Sequence, residues 1–302
     1  MPEISVVIPT FNRAHYLAGT LASVFLQDYQ DWELIVVDDG STDGTPELLK
    51  TYGSRIRIVR QSNRGSGAAR NAGIAVAKGT YVSFLDSDDR WFPWSLRVIH
   101  EMIRNHNNPA LVAGFIREFR DEAELANVML EPLRAEVFDD YLSACHHGYY
   151  VGSGAATIRR DVLIKSGGFT DRRLNGEDHD LILKMGTAAG FVQILAPATL
   201  GWRRHSASAT AHVGNTAAGA RLLVEHEQAG VYPGGRARAR DRRSIITQHT
   251  RPASLQLLDA GAVGTAWAIY RSTGLWHLML GRWRYLLGFP LLSAVRWLRG
   301  LA

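Results

Sequence analysis

One cysteine in 302 residues, Cys145, rules out an internal disulfide framework and any cysteine-based zinc cluster. Only four lysines stand beside thirty arginines. No run of about 18 consecutive apolar residues occurs, so the sequence offers no spanning helix. Met1-Pro2-Glu3 leads straight into ISVVIPT without the charged and apolar regions of a secretory leader, so the expected compartment is the cytoplasm. G-x-G-x-x-G is missing after the first strand-like run, which argues against a nicotinamide dehydrogenase. A phosphate-binding G-x-x-x-x-G-K-[ST] loop, a G-x-S-x-G elbow and zinc-like histidine spacing are missing too. Proline (10) and glycine (29) are near ordinary usage, which excludes collagen-like and disordered chains.

What is present is an ordinary globular composition, 46% apolar and 21% charged, with charge of one sign gathered at one end. Residues 228–302 hold 11 arginines but only Asp241 and Asp259 as acids, a net +9, whereas residues 1–227 carry 23 basic and 27 acidic residues, a net −4. A body of that sign is a poor nucleic-acid binder.

Apolar β-branched runs alternate with helical patterns over the first 120 residues. Strands are expected at 4–9, 33–38, 55–59 and 80–86. Between them, Leu17, Leu21, Val24 and Phe25 share a helical face, and Thr45-Pro46-Glu47 reads as the cap and first turn of a short helix. Residues 66–78 form a small-residue helix, and Pro93 opens another through Leu96, Ile99 and Ile103. This order implies a mostly parallel sheet with helices on both faces, an α/β Rossmann-like fold with ligands beyond the carboxyl ends of its strands. Residues 121–150 read as an insertion or acceptor-side loop, 154–169 as strand, short helix and glycine stop, and 176–190 as a helix. Helical patterns dominate from about 245, where Pro290 is expected to break or kink the last helices.

Two strands end in acids, Asp38-Asp39 and Asp86-Ser87-Asp88-Asp89. Five carboxylates at one sheet edge repel unless cations or hydrogen bonds satisfy them. A hard divalent ion holding a diphosphate would do so. Phe11 can stack on a nucleobase, and Arg70 can offer a bidentate fork to phosphate.

VVIPTFNR, VVDDGSTDGT, NRGSGAARNAG, GTYVSFLDSDD and NGEDHDL, in this order over roughly residues 3–205, closely resemble the family 2 glycosyltransferases with the GT-A fold. The resemblance implies that Thr10 and Phe11 contact the base and ribose, Asp39 the base edge, and that Arg70 helps hold the nucleotide. Asp86 and Asp88 would form the DxD pair, Asp86 towards ribose and metal, Asp88 on the metal. Asp178 would be the catalytic base, and His205 would approach the metal and diphosphate, with Arg203 and Arg204 beside it. The implied cofactor is Mn²⁺ or Mg²⁺. The implied reaction is inverting transfer from a nucleoside diphosphate sugar, UDP by family habit, to a cell-surface glycan or lipid-linked acceptor. A non-catalytic sugar-nucleotide-binding protein on the same fold is the alternative.

The chemistry agrees: a divalent ion neutralises the leaving diphosphate, and an acceptor hydroxyl needs a base. A helix N-terminus, where Asp178 is expected, favours an ionised carboxylate. Glu177 and Asp180 are then first-turn charges, Asp180 in solvent. The expected division is a catalytic domain over 1–230, with its nucleotide half at about 1–120 and its acceptor half at about 121–230, and a basic helical extension over 231–302. Within that extension, 274–302 carries Arg282, Arg284, Arg296 and Arg299 among Trp276, Trp283, Tyr285, Phe289 and Trp297. That mix suits an anionic membrane surface at the inner face, or packing on the body or on a second subunit.

Overall fold

The computed structural model describes residues 1–205 and 213–300. The chain forms two compact units that interleave in sequence instead of dividing at one point such as residue 230. The first comprises Met1–Tyr141, Tyr150–Arg173 and Ala188–Ser206; the second comprises Leu142–Tyr149, Leu174–Thr187 and the chain from Ala207 on.

In the first unit, among the described residues, nine strands form one sheet. β1 (Ile4–Thr10), β2 (Trp32–Asp38), β3 (Arg57–Arg60) and β4 (Tyr81–Phe84) make a wholly parallel block in the order β3-β2-β1-β4. β8 (Ala156–Arg159) then enters antiparallel between β4 and β6 (Leu111–Phe119), and β6 runs parallel to β9 (Phe191–Arg203). β5 (Arg90–Trp91) and β7 (Arg134–Phe138) pair antiparallel with β9. β7 lies inside the segment read as an insertion, whose polar composition hid a strand.

The parallel block is covered on both faces because β1 is apolar on both. Ile4, Val6 and Ile8 share a buried cluster with Leu17, Leu21 and Val24 of α1 (Ala14–Phe25) and Leu96, Ile99 and Ile103 of α4 (Ser95–Asn105). Val7 points the other way, onto Gly73 of α3 (Ser66–Val76). Asp43, not Thr45, caps the loop after β2: its Oδ2 accepts the Ala14 N–H at the start of α1, and its Oδ1 accepts the Thr45 N–H at the start of α2 (Thr45–Lys50). Thr45 is instead the first helical residue, and its hydroxyl accepts the Arg13 N–H. α5 (Ala123–Ala126) and α6 (Arg160–Lys165) complete this unit.

The second unit is helical: α7 (Glu177–Lys184), α8 (Val213–Gln228), α9 (Ala239–Asp259), α10 (Val263–Met279) and α11 (Trp283–Gly300). Pro290 does not break α11. The carbonyl a proline leaves without its helical donor is that four residues earlier, and here Leu286 O accepts the Tyr270 hydroxyl at 2.8 Å. The chain turns instead at Gly281, with φ +67°. Of the aromatic tail, Trp276, Tyr285 and Phe289 are buried, Trp283 is exposed, and the side chains of Trp297 and Arg299 lie outside the described residues. No helix among the described residues is long and apolar enough to cross a membrane.

A Cβ on Gly73 would overlap Val7 Cγ1 and come within 3.4 Å of Val37 Cγ2. Glycine-to-alanine in a helix ordinarily gains about 1 kcal/mol; overpacking against β-branched residues costs about 1–3 kcal/mol. Gly73→Ala should therefore lower the thermal unfolding midpoint, and a raised midpoint would refute this packing.

Candidate active site

The carboxyl ends of β1, β2 and β4 converge, as parallel neighbours must. Asp39 N–H donates to Thr10 O, which joins the β1 and β2 ends. Thr10 is 2% exposed and its hydroxyl has no hydrogen-bond partner among the described residues, while Phe11 beside it is 41% exposed. An aromatic ring left this open at a strand end is available for stacking.

The acids then divide by their partners. Asp38 is buried, its Oδ1 accepting the Ser41 N–H and its Oδ2 lying 3.4 Å from Arg60 Nε. Asp39, 4% exposed, accepts Gln61 Nε2 and the Arg64 N–H on Oδ1 and the Gly65 N–H on Oδ2, all within 2.8 Å. Its carboxylate thus shapes the 61–65 loop that leads into α3. Asp89 is buried and accepts the Arg203 N–H at 2.9 Å. Burial, then the charges of Asp86 and Asp88, hold its pKa well above the usual carboxylate range.

Asp86 and Asp88 are the more open pair, with side chains 35% and 21% exposed. Asp86 Oδ1 accepts from Arg70 Nη2 at 2.6 Å. Arg70 itself is 4% exposed and lies over the Phe169 ring, so its guanidinium is fixed. Asp88 Oδ2 lies 3.0 Å from His205 Nε2 and 3.6 Å from Arg13 Nε. His205 reaches this place because Arg203 anchors the end of β9: its Nε donates to Asp88 O, and its Nη2 pairs with Glu122. Arg203 also lies over the Phe119 and Tyr16 rings, while Arg204 lies over Trp202. Arg203 is thereby a buried strut.

No group of three or more His, Cys, Asp or Glu side chains among the described residues is arranged to hold a metal ion. Asp88 and His205 supply two donors at 3.0 Å, which fits an ion that keeps further positions for phosphate oxygens and water. Arg13 went unrecognised in the sequence, although it closes the VVIPTFNR stretch and a guanidinium beside paired acids is the signal to seek.

Seven of the eight expected site residues thus belong to the first unit, and Asp178 belongs to the second. Asp178 sits in the first turn of α7, where its Oδ1 accepts the His179 N–H at 2.8 Å. Asp180 is not in solvent. It is wholly buried, accepting from His226 Nδ1 and the Tyr232 hydroxyl on Oδ1 and pairing with Lys184 through Oδ2. Two hydrogen bonds, from α8 and the segment after it, and one ion pair within α7 compensate a carboxylate that first-turn position alone would leave wet.

The family model described as "Glycosyl transferase family 2" matches residues 5–167, more than half of the chain. The teichuronic acid biosynthesis glycosyltransferase TuaG of Bacillus subtilis is 45% identical over 94 residues, covering 30% of this chain and 37% of that one. The Escherichia coli UDP-Glc:alpha-D-GlcNAc-diphosphoundecaprenol beta-1,3-glucosyltransferase WfgD is 33% identical over 127 residues, 37% of this chain and 50% of that one. The chain spans about a third of the length of several curated relatives it matches. S. aureus TarS 1–349 in complex with UDP-GlcNAc shares the fold, with a TM-score of 0.70 and 19% identity over 85% of this chain and 76% of that one. The Pyrobaculum calidifontis mannosyltransferase PcManGT, in complex with GDP-Man and Mn2+, gives 0.53 at 19% identity over 98% and 86% of the two chains. The GT-A-like α/β fold is the one the strand-end motifs imply.

In the second unit the His179 and His249 rings stack at 3.7 Å. Burial pushes His179 down to about 4 and His249 well below its usual value, where the His179 charge adds to it. His277, also buried, is pushed down to about 4 by burial and then by Arg282 and Arg251. These rings stay neutral when folded but protonate below about pH 6.5 when unfolded. Stability should be full above that pH and fall as pH drops towards 4. Denaturant titrations between pH 7 and 5, before most carboxylates titrate, should show the decline, and His277→Phe should make it shallower while His179 and His249 keep their share. A level profile for the parent would refute the neutral histidines.

Proposed function

The chain belongs to glycosyl transferase family 2, and on that premise we propose that it transfers a sugar, with inversion, from a nucleoside diphosphate sugar to a hydroxyl of a glycan or lipid-linked acceptor. The observation that carries the reading is the strand-end pairing of Asp88 with His205 beside Arg70 with Asp86. Phe11 stacks on the base, Thr10 and Asp39 line the nucleoside, and Asp86 reaches the ribose. Arg70, already held by Asp86 and Phe169, is positioned without an ordering cost to meet a phosphate. Asp88 and His205 hold Mn²⁺ or Mg²⁺, which when bound neutralises charge on the departing diphosphate. Asp178 takes the acceptor's proton, and a single base with no covalent sugar intermediate gives inversion. UDP is the favoured nucleotide, supported by relatives whose names or complexes carry UDP-sugars. We place the protein in the cytoplasm, peripheral on the inner membrane face, on the support of exposed Leu287, Leu291, Leu292 and Val295 along α11.

Nucleotide release measured across the common sugar nucleotides, with and without Mn²⁺, tests the whole reading. Asp88→Asn should abolish the Mn²⁺-dependent part of UDP binding, because an amide lacks the charge the ion requires; unchanged affinity by calorimetry would sink the metal assignment.

Asp178→Asn should keep donor affinity and lower transfer about 10²–10⁴-fold, the range for a positioned general base. Glu177→Gln should cost less. If Asp178→Asn keeps full turnover while Glu177→Gln is dead, Glu177 is the base. If the parent binds donor but transfers no sugar to any acceptor, the binding-protein alternative holds.

A further inference from the structure

A cavity of about 310 Å³ in the second unit is lined by Cys145, His146, Arg240, Ser244, Gln248 and Arg282. The volume is at the small end of ligand sites. Its neutral polar groups are occupied with one another: Gln248 Nε2 and the Ser244 hydroxyl both donate to Cys145 O. Its positive groups are not matched by acids. Arg282 Nη1 donates to the Thr247 hydroxyl at 2.5 Å, and Nη2 donates to Ser244 O and Oγ. That leaves its Nε–H and one Nη1–H without a protein acceptor among the described residues. Burial and the Arg251 charge lower the Arg282 pKa from its ordinary value, a sign of a positive charge without its counterpart.

The nearby acids are already engaged. Asp241 pairs with Arg238 at 2.6 Å and accepts from the Cys145 thiol at 3.6 Å. Glu227 holds Arg242 and Arg243, and Asp259 holds Arg296. Arg240 and Arg282 have no carboxylate partner among the described residues. A half-buried guanidinium at a cavity wall, with donors unspent and a second arginine on the same wall, is an arrangement that an anion stabilises.

Leu280 also lines this cavity. Its neighbours along the chain are apolar and open: Leu278, Met279 and Trp283 are 45%, 54% and 56% exposed. A soluble anion gains nothing from such a border, whereas an anionic headgroup on an acyl or prenyl chain gains apolar burial there.

We propose that this cavity is a binding site for a phosphate or diphosphate group carried on a lipid. Arg282 and Arg240 hold the group, with His146 as a further donor, and Leu280 with its exposed neighbours meets the lipid. The site is wholly within the second unit, whereas the donor-binding residues belong to the first.

The test uses the full-length protein and two probes without divalent cation: inorganic pyrophosphate in calorimetry, and phosphatidylcholine vesicles with or without phosphatidic acid in co-sedimentation. Both pyrophosphate and the phosphatidic acid vesicles should bind. Arg240→Gln, at an exposed residue with no hydrogen-bond or ion-pair partner among the described residues, should weaken both about tenfold, the scale of one charge-assisted hydrogen-bonding group. Arg284→Gln removes the same charge from an exposed position outside the cavity and should change either by less than about threefold. Equal losses for the two variants would mean diffuse surface attraction and overturn the site. Arg240-dependent pyrophosphate binding without vesicle binding would overturn the lipid assignment. UDP affinity, measured in parallel, should be unchanged in Arg240→Gln, so a failure of donor binding is read separately.

Discussion

Carboxylates crowded at the carboxyl ends of β2 and β4 would repel one another unless each had a donor or a cation, and the first unit is arranged to supply them. Asp38, Asp39 and Asp89 are buried and spend their oxygens on Ser41, on the 61–65 loop and on Arg203. Those bonds are local structure: they fix the turn after β2, the entry to α3 and the end of β9. What remains open is the pair between them, Asp86 and Asp88, each facing a group that the buried acids helped to place. Arg70 arrives with α3, whose entry Asp39 shapes, and His205 arrives with β9, whose end Asp89 and the Asp88 carbonyl hold. The same residue type therefore does two jobs along one short edge, decided by burial alone.

This division explains what the sequence could and could not reveal. Strand runs such as ISVVIPT are apolar on both faces, so the parallel block was legible from composition and spacing, as was the gathering of acids at strand ends. The pairing of Asp88 with His205 spans 117 positions, and only the family resemblance brought His205 into view. Local rules failed where a distant partner decided the outcome. Asp180 reads as a wet first-turn acid until His226 and Tyr232 come against it. Pro290 reads as a helix break until the Tyr270 hydroxyl satisfies the carbonyl that proline strands. Thr45 reads as a cap until Asp43, two residues earlier, serves α1 and α2 together.

The second unit obeys a different constraint, since it buries polar groups among helices instead of gathering them at an edge. His179, His249 and His277 enter neutral, which avoids the cost of a desolvated imidazolium and forgoes charge-assisted bonds. Its buried charges are paired instead: Asp180 with Lys184, and Glu227 with Arg242 and Arg243.

Those pairings also change the meaning of the positive tail. A boundary drawn at residue 228 cuts Glu227 from Arg242 and Arg243, the two arginines that share its carboxylate, so the +9 of residues 228–302 overstates the net by one charge. Asp241 and Asp259, the two acids already counted in that +9, pair with Arg238 and Arg296. Arg271 lies over the Trp267 ring, a contact that uses its face without cancelling its charge. The arginines that keep no carboxylate among the described residues include Arg240 and Arg282, and both line the same cavity. Two of the tail's unmatched arginines are thus gathered at one cavity wall, while Arg236, Arg251, Arg271 and Arg284 carry their charge outside it.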